Sequence, residues 1–298
     1  MKECRICPRN CKVDRKHNET GVCRETNRLR VARAALHMWE EPCISGKEGS
    51  GTVFFTGCNL RCVYCQNYDL SRSKIGMEIT EARLAEIFLK LQDKKANNIN
   101  LVTPTHFIPQ IIRALQAAKT QGLCIPVVYN SSGYESFDSL KKLEGLVDIY
   151  LPDFKYWSGE KARRYSEAAD YPDIAVKAIE EMTRQTGKAR FDERGIMTKG
   201  VIVRHLLLPG GLSEAKRIVR YLYETYGNQI YLSLMNQYTP LDSLNKEKFP
   251  ELARRVRKKD YERLIHYAIN LGVEYAFIQE GETAKESFIP DFTLEGVM

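Results

Sequence analysis

The chain has 298 residues, of which 43% are hydrophobic and 28% are charged, and its formal net charge is +7 at pH 7. These values are typical of a globular protein with one large domain, and they exclude an intrinsically disordered chain. No apolar run approaches the ~20 residues that a membrane span needs, and the N-terminus carries no apolar signal core, so we expect a cytoplasmic protein without membrane contact.

Nine cysteines occur, most of them in short-spaced groups, which indicates metal binding in a reducing compartment rather than disulfide bonding. The first group, the knuckle cysteines, contains four thiols separated by few apolar residues: Cys4, Cys7, Cys11 and Cys23. Such a segment cannot form a hydrophobic core unaided, so we predict a small cysteine-rich metal-binding extension over residues 1–45. Zinc and an auxiliary iron-sulfur cluster both accept four thiolates, and the sequence leaves the choice of metal open.

The rest of the chain, residues 46–298, alternates between apolar strand-like runs and helical periods. Strands are predicted over residues 52–55, 99–102, 125–129, 147–151, 201–208, 230–234 and 275–278. The first helical period is representative, because Thr80 can cap its N-terminus while Leu84, Ile87 and Leu91 fall on one face. This alternation predicts βαβ units in a parallel sheet or barrel, with fewer units than the eight of a closed TIM barrel.

A second cysteine group follows the first strand of this region, in the segment GTVFFTGCNLRCVYCQN. Its members, the loop cysteines, are Cys58, Cys62 and Cys65. A cube of four irons ordinarily takes four thiolates, so three would leave one iron open to a reactant. A structural zinc site is the alternative, but it needs a fourth ligand that the neighbouring residues 59–67 do not offer. The loop therefore indicates chemistry rather than a purely structural site.

The C-x3-C-x2-C spacing, with Tyr64 just before the last cysteine, resembles the signature of radical S-adenosylmethionine (SAM) enzymes. The resemblance implies an open (β/α)6 partial TIM barrel and a [4Fe-4S] cluster whose open iron chelates S-adenosyl-L-methionine. It also implies reductive cleavage of that cofactor to methionine and a 5'-deoxyadenosyl radical, which abstracts hydrogen from a substrate. An electron donor such as flavodoxin or ferredoxin is the expected redox partner, and Tyr64 is expected beside the adenine.

Further site residues are expected where the strands end, because parallel α/β folds bind ligands at the carboxyl ends of their strands. Thr103 and Thr105 follow the second strand, at the place where relatives carry a Gly-Gly-Glu motif that holds the methionine amino group. Asn130 and Ser132 follow the third strand, where activating enzymes of glycyl radical enzymes place a polar pair. We expect all four side chains to contact the cofactor.

The next strand ends carry motifs that resemble the pyruvate formate-lyase activating enzymes. Asp153 and Lys155 match an Asp-Leu-Lys motif, and two residues apart on a strand they point to the same face. We expect Lys155 to contact the cofactor carboxylate or steer the radical step, and Asp153 to order it. His205 precedes Pro-Gly and is expected at the ribose or carboxylate, while Gln237 offers an amide to the adenine or to a peptide.

The resemblance favours a radical enzyme that abstracts hydrogen from a protein or peptide, including the backbone of a glycyl radical enzyme. Two alternatives stay open: radical modification of a small molecule, and a cysteine-rich metal-binding adaptor without turnover. Nucleic acid is not an expected partner, because the basic run over residues 254–259 lacks interleaved aromatic residues and is typical of a solvated helix face.

Overall fold

The structure is a computed structural model that describes residues 3–279 and 290–298. Its strands are β1 (Leu29–His37), β2 (Ser50–Phe55), β3 (Met77–Ile79), β4 (Ile99–Val102), β5 (Val127–Ser131), β6 (Ile149–Pro152), β7 (Arg190–Phe191), β8 (Met197–Leu206), β9 (Tyr231–Met235) and β10 (Ala276–Ile278). Its helices are α1 (Pro42–Ser45), α2 (Tyr68–Ser71), α3 (Glu81–Asp93), α4 (Ile108–Thr120), α5 (Phe137–Lys141), α6 (Gly159–Ser166), α7 (Tyr171–Thr186), α8 (Leu212–Tyr226) and α9 (Lys258–Leu271). Short 3-10 turns lie at Arg15–His17, Thr105–Phe107, Gly227–Gln229 and Pro250–Ala253.

One mostly parallel sheet organises the fold, in the order β10-β9-β8-β6-β5-β4-β2-β1-β3. Every neighbouring pair from β2 to β10 is parallel, and β10 and β3 stand at opposite ends of the order without pairing to each other. The open α/β partial barrel predicted from the sequence is therefore confirmed. All seven predicted strands are present, with ends that shift by a few residues.

The sheet also contains strands that the sequence did not predict. Strand β1 pairs antiparallel with β2 and with β3, and it lies within the segment assigned to the cysteine-rich extension. The side chains of Leu29, Val31 and Ala34 join the main hydrophobic core. Residues 29–37 thus belong to the central sheet, while the proposed boundary between residues 45 and 46 stays a prediction.

Two layers of apolar side chains hold the sheet. The larger layer packs the helices against it and contains most buried residues of the described chain. A smaller cluster joins side chains of β5, β6 and β8 to Cys43 and Ile44 of α1. Because both faces of the parallel strands are buried, their side chains give continuous apolar runs in the sequence. Within the described ranges, no helix is long and apolar enough to cross a membrane.

Candidate active site at the carboxyl ends of the strands

A cleft of ≈ 260 Å³ opens at the carboxyl ends of the parallel strands. Its walls bring together the loop after β2, the last residues of β8, and residues that follow β4, β5, β6 and β9. The lining residues include all three loop cysteines. From the other predicted site residues it includes Tyr64, Thr103, Asn130, Ser132, Asp153, Lys155 and Gln237.

The loop that carries the cysteines is a thin wall of this cleft. Leu60, Cys62 and Tyr64 line the cleft, whereas Arg61 and Val63 line a separate pocket on the other side of the loop. The loop starts at Gly57, whose φ is +83° and whose missing Cβ would lie 2.6 Å from the carbonyl oxygen of Cys23. Only glycine permits this close approach, so the loop rests directly on the N-terminal segment.

The loop sulfurs receive hydrogen-bond donors suited to thiolate ligands. The Leu60 N–H donates to the Cys58 Sγ (3.4 Å), and the Ser166 hydroxyl donates to the Cys62 Sγ (3.1 Å). Burial, together with the neighbouring Cys62 and Cys58 sulfurs, raises the pKa of the Cys65 thiol to about 12. A raised pKa favours the protonated thiol, and a bound metal reverses this preference because a coordinating thiol is deprotonated outright.

The donor set and its shared position fit an iron-sulfur cluster, which takes cysteine thiolates and is tuned by hydrogen bonds to its sulfurs. In the part of the chain that the structure describes, however, no group of three or more Cys, His, Asp or Glu side chains is arranged to hold a metal ion as it stands. The fit therefore rests on ligand chemistry and on the common cleft rather than on a formed coordination geometry.

Opposite the loop lies a compact array of charges. Lys155 Nζ donates to Asp153 Oδ2 (2.6 Å), and Arg204 Nε donates to Asp153 Oδ1 (3.0 Å). Burial would raise the pKa of Asp153, but the two cations outweigh burial and lower it. Burial would likewise lower the pKa of Lys155, and Asp153 and the Cys62 sulfur outweigh burial and raise it. All three groups are therefore ionised at neutral pH, with two cations to one carboxylate.

Arg204 extends this array toward the other side of the cleft. Its Nη2 donates to Asn130 Oδ1 (2.6 Å), and its Nη1 lies 3.5 Å from Glu40 Oε2. Burial is the main cause that raises the pKa of Glu40, and the charge of Arg204 opposes it. Arg204, Glu40, His37 and Trp39 all line the cleft, and the sequence interpretation named none of them.

Thr103 occupies a strained backbone position at the end of β4. Its φ is +59°, which is uncommon for a β-branched residue and indicates a conformation imposed by its surroundings. The Thr103 N–H donates to the carbonyl oxygen of Asn130 (2.9 Å). Asn130 and Ser132, the polar pair at the end of β5, are followed by Gly133. Its missing Cβ would lie 2.2 Å from the Asp153 carbonyl oxygen, so the chain after β5 passes directly against the end of β6. The ends of β4, β5 and β6 are thus locked together below the cleft.

Two predicted cofactor contacts lie outside the cleft. His205 is buried and its Nδ1 bonds the Phe154 carbonyl oxygen (2.7 Å), because successive residues of β8 face opposite sides and Arg204 takes the cleft side. Thr105 starts a 3-10 turn that carries its hydroxyl to Glu135 Oε1 (2.7 Å). The structure therefore does not bring His205 and Thr105 to the cleft with the other predicted site residues, whereas Arg204 lines it. Contact of either residue with a cofactor stays a prediction.

The knuckle cysteines lie beneath the loop. Burial, with smaller contributions from the three other knuckle thiols, raises the pKa of Cys7 to about 12, so these sulfurs are near neighbours. The Val22 N–H donates to the Cys11 Sγ (3.5 Å), as in thiolate sites that draw backbone donors. Like the loop cysteines, the four thiols are not arranged as a formed metal site among the described residues.

Arg9 joins the knuckle to the cysteine loop. Its guanidinium donates to the carbonyl oxygens of Asn59 (2.8 Å) and Leu60 (3.3 Å) in the loop. It also donates to the carbonyl oxygens of Ser166 (2.7 Å) and Glu167 at the end of α6. One charged side chain of the N-terminal segment therefore joins the cysteine loop to the end of α6.

The fold and the cleft together define a parallel α/β protein with a three-cysteine loop at the carboxyl end of a central strand. The Radical SAM superfamily model matches residues 52–210, which is more than half of the chain. The chain therefore belongs to the radical SAM superfamily.

Among curated proteins, an uncharacterized protein of Methanocaldococcus jannaschii is 29% identical over 278 residues, covering 90% of this chain and 75% of that protein. The pyruvate formate-lyase-activating enzyme of Clostridium pasteurianum is 25% identical over 238 residues, covering 69% of this chain and 89% of the enzyme. Among solved structures, Streptococcus suis SuiB bound to S-adenosylmethionine has a TM-score of 0.52 at 11% identity. The match covers 76% of this chain and 49% of SuiB, so the chain spans about half the length of that protein.

Proposed function

We propose that this chain is a radical SAM enzyme that acts on a protein or peptide substrate. The observation that carries the proposal is that the loop cysteines line the same cleft as Asp153, Lys155 and Arg204. A [4Fe-4S] cluster, when bound, supplies the electron that cleaves S-adenosyl-L-methionine to methionine and a 5'-deoxyadenosyl radical. The residues of the chain hold and orient the reactants for that step.

The loop cysteines would hold three irons and leave the fourth open to the cofactor. Lys155 and Arg204 would bind the cofactor carboxylate, because the array carries one positive charge more than Asp153 neutralises and Arg binds carboxylates in a fixed geometry. Asp153 acts as the positioning residue that holds both cations in the same wall. Thr103, Ser132 and Gln237 line the cleft and supply further polar contacts to the cofactor.

Two observations support a macromolecular substrate. Trp39 lines the cleft with 61% of its surface exposed, and the adjacent Met38 is 45% exposed. Large exposed apolar side chains at the rim of a site indicate a protein-binding surface. The likeness to a pyruvate formate-lyase-activating enzyme supports activation of a glycyl radical enzyme as the particular reaction. An electron paramagnetic resonance (EPR) signal of a glycyl radical on a co-incubated glycyl radical enzyme would test this assignment.

The experiment that tests the proposal is anaerobic reconstitution with iron and sulfide, reduction with dithionite, and an assay for 5'-deoxyadenosine. The radical enzyme predicts a product that requires both S-adenosyl-L-methionine and reductant. A non-catalytic metal-binding adaptor predicts none, so an intact cluster without product would refute the radical enzyme.

We further infer a second metal site at the knuckle cysteines, filled by zinc or by an auxiliary iron-sulfur cluster. Its support is the proximity of the four thiols and the backbone donor to Cys11. Iron and zinc contents of the wild type and of a variant with all four knuckle cysteines replaced by alanine would identify the metal. Loss of neither metal in the variant would contradict the second site. Residence in the cytoplasm stays a prediction.

A further inference from the structure

A strongly basic pocket lies behind the cysteine loop, on the side that does not face the cleft. Its volume is ≈ 320 Å³. Six cationic side chains line it, and we call them the basic face: Arg24, Arg61, Arg72, Lys74, Arg164 and Lys248. Glu167 is the one acidic lining residue among those that the structure describes. The chain as a whole carries a net charge of only +7, so the basic face is a local concentration of charge.

Few carboxylates neutralise the basic face. Lys74 pairs with Asp69 (3.0 Å) and Arg164 pairs with Glu251 (2.9 Å). Counting Asp69 and Glu251 with Glu167 gives three carboxylates for the six cations of the face. The side chains of Arg61 and Arg72 each keep a buried Nε without an acceptor among the described residues. The face therefore carries more positive charge than the neighbouring carboxylates neutralise.

The cysteine loop itself forms part of this surface. Arg61 and Val63 lie between the loop cysteines in sequence and line the basic pocket, while the residues that alternate with them line the cleft. Arg72 donates to the Arg61 carbonyl oxygen (3.1 Å), and the Val63 N–H donates to the Tyr165 carbonyl oxygen (2.9 Å). A cluster held by the loop would therefore be separated from the basic face by the thickness of one loop. The opposite side of that loop is committed to the cofactor.

We infer that the basic face is the docking surface for an acidic one-electron carrier protein that reduces the cluster of the loop cysteines. The inference rests on the proposed function, which requires one electron for each cleavage. The step moves one electron from the reduced carrier, which is oxidised by one electron, to the cluster, and no bond forms or breaks in it. Complementary charge steers such encounters and fixes their orientation. A carrier bound behind the loop would lie one loop away from a cluster held by the loop cysteines and would leave the cleft open to substrate.

The aromatic residues of the pocket argue against a nucleic acid in the same place. Single-stranded nucleic acids bind basic grooves by stacking bases on aromatic rings. Here the Tyr68 ring is covered by Arg72 (5.1 Å) and Lys74 (4.9 Å), and the Phe249 ring by Arg164 (5.3 Å) and Lys248 (5.4 Å). The rings support the cations of the protein, so the surface presents charge rather than stacking platforms.

The test compares two reductants on the reconstituted protein. The rate of cluster reduction is measured by EPR and visible absorbance, without turnover, with dithionite and with photoreduced flavodoxin as the carrier. The test variant is Arg24→Glu/Lys248→Glu, because both side chains are exposed. The matched control is Arg255→Glu/Lys259→Glu, which makes the same charge change at exposed positions outside the basic face.

The docking surface predicts that the test variant lowers the flavodoxin-dependent rate by about 10-fold or more at low salt. The dithionite-dependent rate and the control variant stay at the wild-type value, and added salt slows the wild type with flavodoxin. The inference would be overturned by an equal loss of the flavodoxin-dependent rate in the control variant, or by no loss in the test variant. Inhibition of the flavodoxin-dependent rate of the wild type only by an oligonucleotide, and not by salt, would also overturn it. Failure of flavodoxin and of a ferredoxin to reduce the wild type would also overturn it. The proposed function would fail separately, through absence of 5'-deoxyadenosine with dithionite.

Discussion

Replacement of Asp153 by asparagine tests the charge array most simply, because it removes one charge and keeps the shape. The carboxylate serves Lys155 (2.6 Å) and Arg204 (3.0 Å), and the three side chains are 16%, 19% and 16% exposed, respectively. Removing one partner of a buried ion pair costs ~3–5 kcal/mol, because the other charge stays buried without compensation. Glu40 remains 3.5 Å from Arg204 and offsets part of the loss. We therefore expect Asp153→Asn to lower the free energy of unfolding by about 3 kcal/mol.

The control is Glu81→Gln, which breaks the pair between Glu81 and Arg113 (2.5 Å). These side chains are 36% and 54% exposed. Such surface pairs contribute below ~1 kcal/mol, because water screens them. The assay is anaerobic denaturation in guanidinium chloride without S-adenosyl-L-methionine. Equal losses for the two variants would refute the interpretation of Asp153 as the counter-charge of two buried cations.

The pH dependence of this difference has a definite sign. The pKa of Asp153 is lowered in the fold from its ordinary value of 3.8, since Lys155 and Arg204 outweigh burial. A carboxylate with a lowered pKa stabilises the fold above its unfolded pKa and loses that contribution as the pH falls through the folded pKa. The contribution of Asp153 to the difference between wild type and Asp153→Asn should therefore be present at neutral pH and be lost as the pH falls below about 4.

Three further predictions concern other parts of the site. Arg9→Ala should lower the iron content after reconstitution and destabilise the fold by ~2–4 kcal/mol, because it removes charged hydrogen bonds to the loop and to α6. The control Arg5→Ala, at an exposed position, should change neither the iron content nor the stability. In equilibrium binding, His205→Ala should keep most of the affinity for S-adenosyl-L-methionine, because His205 bonds the backbone outside the cleft. Arg204→Met should lower that affinity at least ~10-fold, because it removes a cation of the cleft. The reverse order would place His205, rather than Arg204, at the cofactor. Burial raises the pKa of Glu135 from 4.5 to about 7. Relative to Glu135→Gln, the free energy of unfolding of the wild type should therefore fall by up to about 3 kcal/mol as the pH rises from 4.5 to 7. A difference that does not change with pH in urea denaturation would contradict this prediction.

The parallel strands could be predicted because they are buried on both faces and appear as short apolar runs. The prediction of residues 99–102 matches β4 (Ile99–Val102), whereas β5 begins two residues after the predicted start, beyond Pro126, which lacks an N–H group. Strand β1 was missed because Arg30 and Arg33 interrupt its apolar pattern. Its place in the sheet is set by pairing with β2, which is a tertiary contact.

The candidate site could be predicted where spacing alone determines geometry. Asp153 and Lys155 lie two residues apart, and the structure places both in the cleft. The same burial that reveals a parallel strand hides which of its faces meets the cleft, so the choice between Arg204 and His205 could not be made from their neighbours. The register of the sheet decides this choice, because Arg204 aligns with Asp153 across the sheet and forms a charge pair with it.

Thr105 illustrates a different limit. The strand end was identified correctly, but a 3-10 turn begins at Thr105 and moves its hydroxyl away from the cleft to Glu135. That turn depends on the packing of His106 and Phe107, both of which are fully buried below the loop. Local sequence gives no indication of this packing, so only Thr103 remains at the cleft.

Whether the loop cysteines support cleavage is measured by the amounts of 5'-deoxyadenosine and methionine that three forms of the reconstituted, dithionite-reduced protein produce. These forms are the wild type, a variant without the loop cysteines, and a variant without the knuckle cysteines. The wild type should form both products in equal amounts, the variant without loop cysteines should form none, and the variant without knuckle cysteines should still cleave the cofactor. Cleavage that survives loss of the loop cysteines, or an intact loop cluster that forms no 5'-deoxyadenosine, would contradict the account.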